Sequence, residues 1–321
     1  MRWYRWMVAI YASLIALWLI GRALIFDQWW WLALITTSAI YLFLPLPILA
    51  ALGLWRRDWR WMTGLLVPLS AFGVFYGELF LPAFPPPAPA GPALTLMNYN
   101  VLWSNEDYAA LAASVHSAQP DILGLEELTP ANATPMVEAL MADYPYHTLT
   151  PETQGVGLMS RFPIESVTYP SFPPRNLALH AVVNWEGQPI HVFVAHFAAN
   201  NFLTEPLPQI PSIAAERYAS RLKEAERLAE EFQAVDGPAL LLCDCNLTSA
   251  SEAYQQIDAF LDDSFREVGW GFGFTLTYPF SVQRIDYVWH TDNWMALTAT
   301  VGNNGGSDHY PLIAQLKLIS P

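Results

Sequence analysis

Two short segments near the C-terminal end of this 321-residue chain carry residue types suited to phosphate chemistry. They are Gly306-Ser307-Asp308-His309-Tyr310-Pro311 and, shortly before it, Arg284-Ile285-Asp286-Tyr287. An Asp–His pair with a second carboxylate nearby lets one acid hold a metal ion or a water while the other orients the imidazole and fixes its tautomer. Read alone, the same residues also fit a polar loop before a last strand. The elements that precede them decide between the two readings.

Residues 94–101 alternate as a strand that ends in Asn98-Tyr99-Asn100, and 107–117 read as a helix. Residues 121–127 form an apolar strand tipped by Glu126 and Glu127, carboxylates that are costly there unless paired, hydrated or bound to metal. Strands follow at 155–160, 178–185 and 190–195, the last delivering His196. Residues 211–232 read as an amphipathic helix laced with Glu/Arg/Lys pairs, an outer layer facing solvent. The run 239–246 then ends in Cys243-Asp244-Cys245-Asn246, where alternation puts Asp244 and Asn246 on one face, spaced to grip a water, a metal or a phosphate oxygen. Ser249 and Glu252 form a capping-box pattern that starts the next helix. Cys243 and Cys245 share the face opposite Asp244. With no other cysteine to complete a zinc site, they read as small buried packing residues.

In this order the strand ends resemble the endonuclease/exonuclease/phosphatase superfamily, the DNase I-like fold shared by nucleases, inositol polyphosphate 5-phosphatases and neutral sphingomyelinases. The resemblance rests on Asn100, Glu126-Glu127, Ala195-His196-Phe197, Cys243-Asp244-Cys245-Asn246, Arg284-Ile285-Asp286-Tyr287 and Ser307-Asp308-His309, with Thr277-Tyr278-Pro279 ahead of the Arg-x-Asp motif. It covers residues 93–318. Glu126 departs from the family's Gln, Cys243 from its Gly and Ala195 from its Thr. None of these changes removes a group the chemistry needs. The resemblance implies an α/β four-layer sandwich of two mixed sheets flanked by helices. It also implies a Mg²⁺- or Mn²⁺-dependent phosphoric ester hydrolase. In that reading Glu127, helped by Asn100 and Asp308, holds the metal, and Asp244, positioned by Asn246, activates water. His309, supported by Asp286 or Asp308, stabilises the phosphoryl oxygens, and His196 contacts the phosphate or protonates the leaving group. Arg175 and Asn200 are candidate substrate-binding residues.

The first 81 residues have a different composition. Apolar stretches at 6–25, 30–55 and 61–81 each approach the ~20 residues that cross a bilayer as a helix, so three transmembrane helices are expected. Trp29, Trp30, Trp31, Trp55, Trp59 and Trp61 cluster at their ends, as an interfacial aromatic belt would. Arg2 and Arg5 precede the first stretch, and Arg56, Arg57 and Arg60 separate the second from the third. The positive-inside rule therefore places the N-terminus in the cytoplasm and everything after the third span outside. The expected organisation is a transmembrane region at 1–81, a Pro-rich linker at 82–92 and a catalytic domain at 93–321.

Nine of the 15 basic and 26 of the 29 acidic side chains lie beyond residue 81, a formal net charge of −17 there. That sign disfavours nucleic acid as substrate. Three N-terminal spans with an external catalytic domain resemble the teicoplanin-resistance-type membrane phosphatases, which implies a lipid-linked substrate such as a polyprenyl diphosphate and contact with membrane lipid. Apolar loops at 197–211 and 269–280 adjoin the motifs and could admit such a chain, although inter-sheet packing explains the first equally well and the second better. The competing readings are an extracytoplasmic nuclease or phosphodiesterase, and a non-catalytic anion-binding membrane protein.

Overall fold

Beyond residue 93 the two-residue apolar period builds strands, and before it unbroken apolar runs build helices. The computed structural model describes residues 4–81, 90–150, 155–172, 178–199, 205–277 and 283–319. It opens with α1 (Tyr4–Ile25), α2 (Trp30–Thr37), α3 (Pro45–Trp55), α4 (Trp59–Gly64) and α5 (Leu66–Tyr76). Then come β1 (Leu94–Asn100), α6 (Tyr108–Ala118), β2 (Ile122–Leu128), α7 (Pro130–Leu140), β3 (Tyr146–Leu149), β4 (Gly155–Ser160), β5 (Ile164–Thr168), β6 (Ala178–Trp185) and β7 (Gln188–His196). The remainder is α8 (Ile210–Gln233), β8 (Ala239–Asp244), α9 (Glu252–Asp258), β9 (Asp262–Asp263), α10 (Ser264–Val268), β10 (Asp286–His290), β11 (Trp294–Val301) and β12 (Leu312–Leu318).

Two six-stranded mixed sheets result, ordered β11-β12-β1-β2-β4-β3 and β5-β6-β7-β8-β10-β9. Their central pairs, β1–β2 and β7–β8, are parallel, and β10 runs antiparallel to β8 with Asp286 opposite Asp244. Strands β1, β2, β7 and β8 therefore end, and β10 begins, at one edge of the sandwich.

Alternation sorts each strand into layers. Leu94, Leu96, Ile122, Val192, Val194, Leu240, Leu242 and Val288 pack between the sheets. Met97, Tyr99, Leu123 and Leu125 face outward under α6 and α7, while Phe193, Leu241, Tyr287 and Trp289 face outward under α8 and α9. This is the expected four-layer sandwich, and burying each such side chain stabilises it by about 1.5–3 kcal/mol. A glycine sets the spacing between the sheets: a Cβ on Gly124 would lie 2.7 Å from Leu242 Cβ.

Helix α8 is the expected amphipathic outer layer, with Ala214, Tyr218, Arg221, Ala225, Leu228 and Phe232 forming its buried stripe. Two expectations need correction. The cap of α9 is Ser251, whose side chain accepts from Tyr254 N–H, rather than Ser249. Among the described residues a single helix, extending from Arg5 to Gln28, is long and apolar enough to cross a bilayer, where three were expected.

The other two apolar stretches are broken. Helix α2 meets the segment leading into α3 at 67°, through a 3₁₀ turn at Ala39–Phe43 that runs into Pro45 and Pro47. The third divides at Leu65 into α4 and α5, where Pro68 has no N–H to bond the carbonyl of Gly64.

The helices pack onto the sandwich through one end. Arg22 Nε donates to Ala250 O at 2.8 Å, Glu252 N–H donates to Asp27 Oδ2 at 2.8 Å, and Gly271 N–H donates to Leu79 O at 2.7 Å. Ala33 on α2 packs against Ala214 and Tyr218 of α8. At the opposite end of α1, Arg5 pairs with Asp58 in the turn between α3 and α4.

Candidate active site

At the edge where the strands end, the inner face turns polar. Asn100, Glu126, His196, Asp244 and Asp286 occupy the even-numbered positions that carry leucine and valine deeper in, and each is at most 2 % exposed. Asn100 Nδ2 donates to Asp244 Oδ2 at 2.8 Å and so ties the two sheets together. His196 Nε2 lies 3.5 Å from the same oxygen, and His309 Nε2 lies 3.9 Å from it. Asp286 Oδ2 is 2.8 Å from His309 Nδ1. Asp244, Asp286 and His309 each offer one ligand atom within 4.8 Å of the others.

Local structure explains each placement. Segment 275–277 zips onto 308–310, with Thr277 N–H donating to Asp308 O and Tyr310 N–H to Thr275 O, both at 2.7 Å. Ser307 Oγ donates to Asn100 O and accepts His309 N–H, which ties the Ser-Asp-His turn to β1. A β-bulge at Glu127, with φ +61°, aims that side chain away from the ladder so that it accepts Trp103 N–H at 3.0 Å.

The Asn246 backbone N–H donates to Asp244 Oδ1 at 3.2 Å, and its Nδ2 donates to Phe197 O. Of the two acids proposed to support His309, the structure selects Asp286.

Electrostatics follow from burial and crowding. Burial would lower the His309 imidazole, but the carboxylates of Asp286 and Asp244 overcome this and hold it well above its ordinary value. Burial and then the charge of Asp286 push Asp244 up to about 8, against the opposing pull of His309 and Asn100. Glu126 is raised well above the usual carboxyl range by burial, then by Asp244 and Asp286, and Asp308 is raised chiefly by burial.

Several buried oxygens here find no hydrogen-bond partner among the described residues: Asp286 Oδ1, Asp308 Oδ1 and both of Glu126. Unpaired carboxylate oxygens beside other carboxylates are costly unless protonated or bound to a cation. The oxygens of Asp, Glu and Asn gathered here suit a hard divalent ion. Glu127 adds to the charge felt by Asp244 and Asp308, and Asp308 to that felt by His309.

Arg175 and Asn200 lie outside the described residues, as do Tyr278 and Pro279. The cysteines also depart from expectation. They do face away from Asp244, into the layer under α8 and α9, but Cys243 and Cys245 are joined by a disulfide rather than packed as thiols.

Three residues that support the site were missed. Thr275 Oγ1 accepts from both Ile285 and Asp286 N–H. Arg221 and Glu224 on α8 hold the loops that follow β7 and β8. A charged residue standing within a helix's apolar stripe, as Arg221 does between Tyr218 and Ala225, was the available signal.

A family model for the endonuclease/exonuclease/phosphatase family matches residues 97–309, from the middle of β1 to the final histidine of the cluster. The chain belongs to that family. Its members are hydrolases acting on phosphate esters. Solved structures share the fold. One is the endonuclease/exonuclease/phosphatase from Bacteroides vulgatus (16 % identity, 71 % of this chain, 100 % of that chain, TM-score 0.59). A second is D. rerio TDP2 complexed with single-strand DNA product (15 %, 71 %, 100 %, 0.58). A third is the Bacteroides thetaiotaomicron mannosyl-6-phosphatase Bt3783 (17 %, 70 %, 99 %, 0.53). A search of curated proteins finds no match.

Proposed function

We propose that this family member is a membrane-anchored, Mg²⁺- or Mn²⁺-dependent phosphohydrolase. Its substrate is a lipid-linked or membrane-proximal phosphate ester or pyrophosphate, with a polyprenyl diphosphate as one candidate. The observation that carries this reading is the Asp244–Asp286–His309 cluster, flanked by His196 and Asn100, in a sandwich seated directly on the apolar helices.

Asn100, Glu127 and Asp308 would hold the cation, which supplies Lewis-acid stabilisation of the phosphoryl oxygens when bound. Asp244, held by Asn100 and the Asn246 N–H, takes a proton from the attacking water. As the new P–O bond forms and the ester bond breaks, His309 offers an Nε2 proton to the phosphoryl oxygens, its Nδ1 fixed by Asp286. His196, on the opposite side of Asp244, contacts the phosphate or gives the leaving oxygen its proton.

Several features support a site near lipid outside the cytoplasm. In the proposed arrangement residues 1–81 anchor the chain, 82–92 link, and 93–321 catalyse. Arg5, Arg56, Arg57 and Arg60 mark the cytoplasmic end by the positive-inside rule, and the end that packs on the sandwich is the other one. The two helix breaks leave α1 as the continuous span, with α4 and α5 packed beside it. A disulfide fits an oxidising compartment. Trp270, 67 % exposed against Phe80 of the helical region, suits an interfacial position.

The test is a side-by-side assay of purified full-length protein with Mg²⁺ on a polyprenyl diphosphate, sphingomyelin, a phosphoinositide and plasmid DNA. Turnover of a lipid phosphate without DNA cleavage is expected. Fast DNA cleavage with no lipid turnover would replace this reading with the nuclease.

A further inference from the structure

The loops that carry His196 and Asp244 past their strands are held by a third element. Arg221 on α8 is 2 % exposed, and its Nη1 donates to Ala198 O and to Asn246 O, each at 3.0 Å. One turn later the buried Glu224 accepts Ala198 N–H at 3.0 Å. A single guanidinium therefore spans the residue two beyond His196 and the residue two beyond Asp244. Both bonds come from the one nitrogen Nη1, so a lysine ammonium could make them in part but would lose the stacking of the planar guanidinium on Tyr218.

The clamp is seated in turn from the N-terminal helices. The Arg221 guanidinium lies over the Tyr218 ring, 4.5 Å from its centre, and the Tyr218 hydroxyl is 2.9 Å from Thr37 Oγ1 on α2. A chain of contacts thus runs from the end of α2 to the two loops of the cluster. Buried hydrogen-bonded links of this kind have one well-defined arrangement, because leaving any member unpaired is costly.

We propose that Arg221 is a positioning residue that sets His196 against Asp244, and that α2 sets Arg221 through the Thr37–Tyr218 bond. The helical region then takes part in the geometry of the site rather than merely tethering it. The inference rests on the phosphohydrolase reading for its kinetic readout, but not for its structural one.

The experiment uses the full chain with Arg221→Gln, Arg221→Lys, Thr37→Val and the Thr37→Val/Arg221→Gln double variant. A displacement near one ångström costs on the order of 100-fold in rate, so Arg221→Gln should lower kcat by about that much with KM nearly unchanged. Arg221→Lys should recover only part of the loss. Thr37→Val should lower kcat by roughly tenfold and should add nothing in the double variant, because both act through one link. Mn²⁺ affinity, read by electron paramagnetic resonance, should hold in all four.

Wild-type kcat in either single variant would overturn the proposal, and so would losses that follow the unfolded fraction. Additive losses would remove α2 from it. If Arg221→Gln does not fold, Thr37→Val alone carries the test. Should the wild type hydrolyse no phosphate ester, the functional reading fails. Hydrogen exchange at the Ala198 amide then decides the clamp, with faster exchange expected in both single variants and an unchanged rate contradicting it.

Discussion

His309 stands between two carboxylates that play different parts: Asp286 Oδ2 lies 2.8 Å from its Nδ1, and Asp244 Oδ2 lies 3.9 Å from its Nε2. The closer acid fixes the ring's tautomer and orientation, and Nε2 remains directed at the space beside Asp244. Asp286→Asn keeps the shape but removes the charge that holds the ring cationic. We expect it to lower kcat by about 100-fold and to bring the alkaline fall in the rate profile to lower pH. An unchanged profile would mean that the pair is structural.

The stability of the metal-free protein should fall as pH rises. Asp244 and Asp308 both have folded values above their unfolded ones, so the folded state holds the extra protons. That contribution is complete below about pH 4 and disappears as pH rises through the folded values, to about 8 for Asp244. His309 acts in the same direction, its contribution lasting until pH passes its raised value. Divalent cation at a fixed concentration of about 100 times its pH 8 Kd should add about 2.7 kcal/mol at pH 8, and less at pH 5 because protons compete with it. Urea titrations with Mg²⁺ or a chelator at several pH values check both. A stabilisation independent of pH would contradict the assignment.

Glu126 is a buried carboxyl beside the like charges of Asp244 and Asp286, and neither of its oxygens makes a geometric hydrogen bond among the described residues. Glu126→Gln removes the repulsion and adds donors within reach of the same crowd. It should stabilise the metal-free protein by about 1–2 kcal/mol, read as an increased denaturation midpoint. A loss of stability would show that Glu126 holds a partner the site requires.

At Gly124 a methyl group would meet Leu242 Cβ at 2.7 Å, backbone-mounted on both sides. Gly124→Ala should cost about 1–3 kcal/mol and reduce activity, since Asn100 on one sheet bonds Asp244 on the other. A neutral substitution would show that the sheets have room to separate.

Much of the site was legible because strands announce themselves. Asp244 and Asp286 each end or begin an apolar run, and alternation alone assigned Asp244 and the two cysteines to opposite faces. The bulge at Glu127 was not legible, since a left-handed glutamate has no residue-type signal of the kind glycine provides. Nor was the disulfide, because residues two apart on a strand read equally well as neighbours in a core. Arg221 was hidden by its own charge: among the surface Glu and Arg pairs of α8 it looked solvated, although its helical position is that of a core residue. The helix breaks were written in Pro45, Pro47 and Pro68, but an apolar run counted only for length does not register them.

The most direct measurement is steady-state hydrolysis by folded, full-length Asp244→Asn and His309→Ala, with Mg²⁺ and the best substrate of the wild type. The account predicts losses of about 100-fold or more in kcat for each, with a circular dichroism spectrum like the wild type's. Retained Mg²⁺-dependent hydrolysis in either folded variant would contradict it.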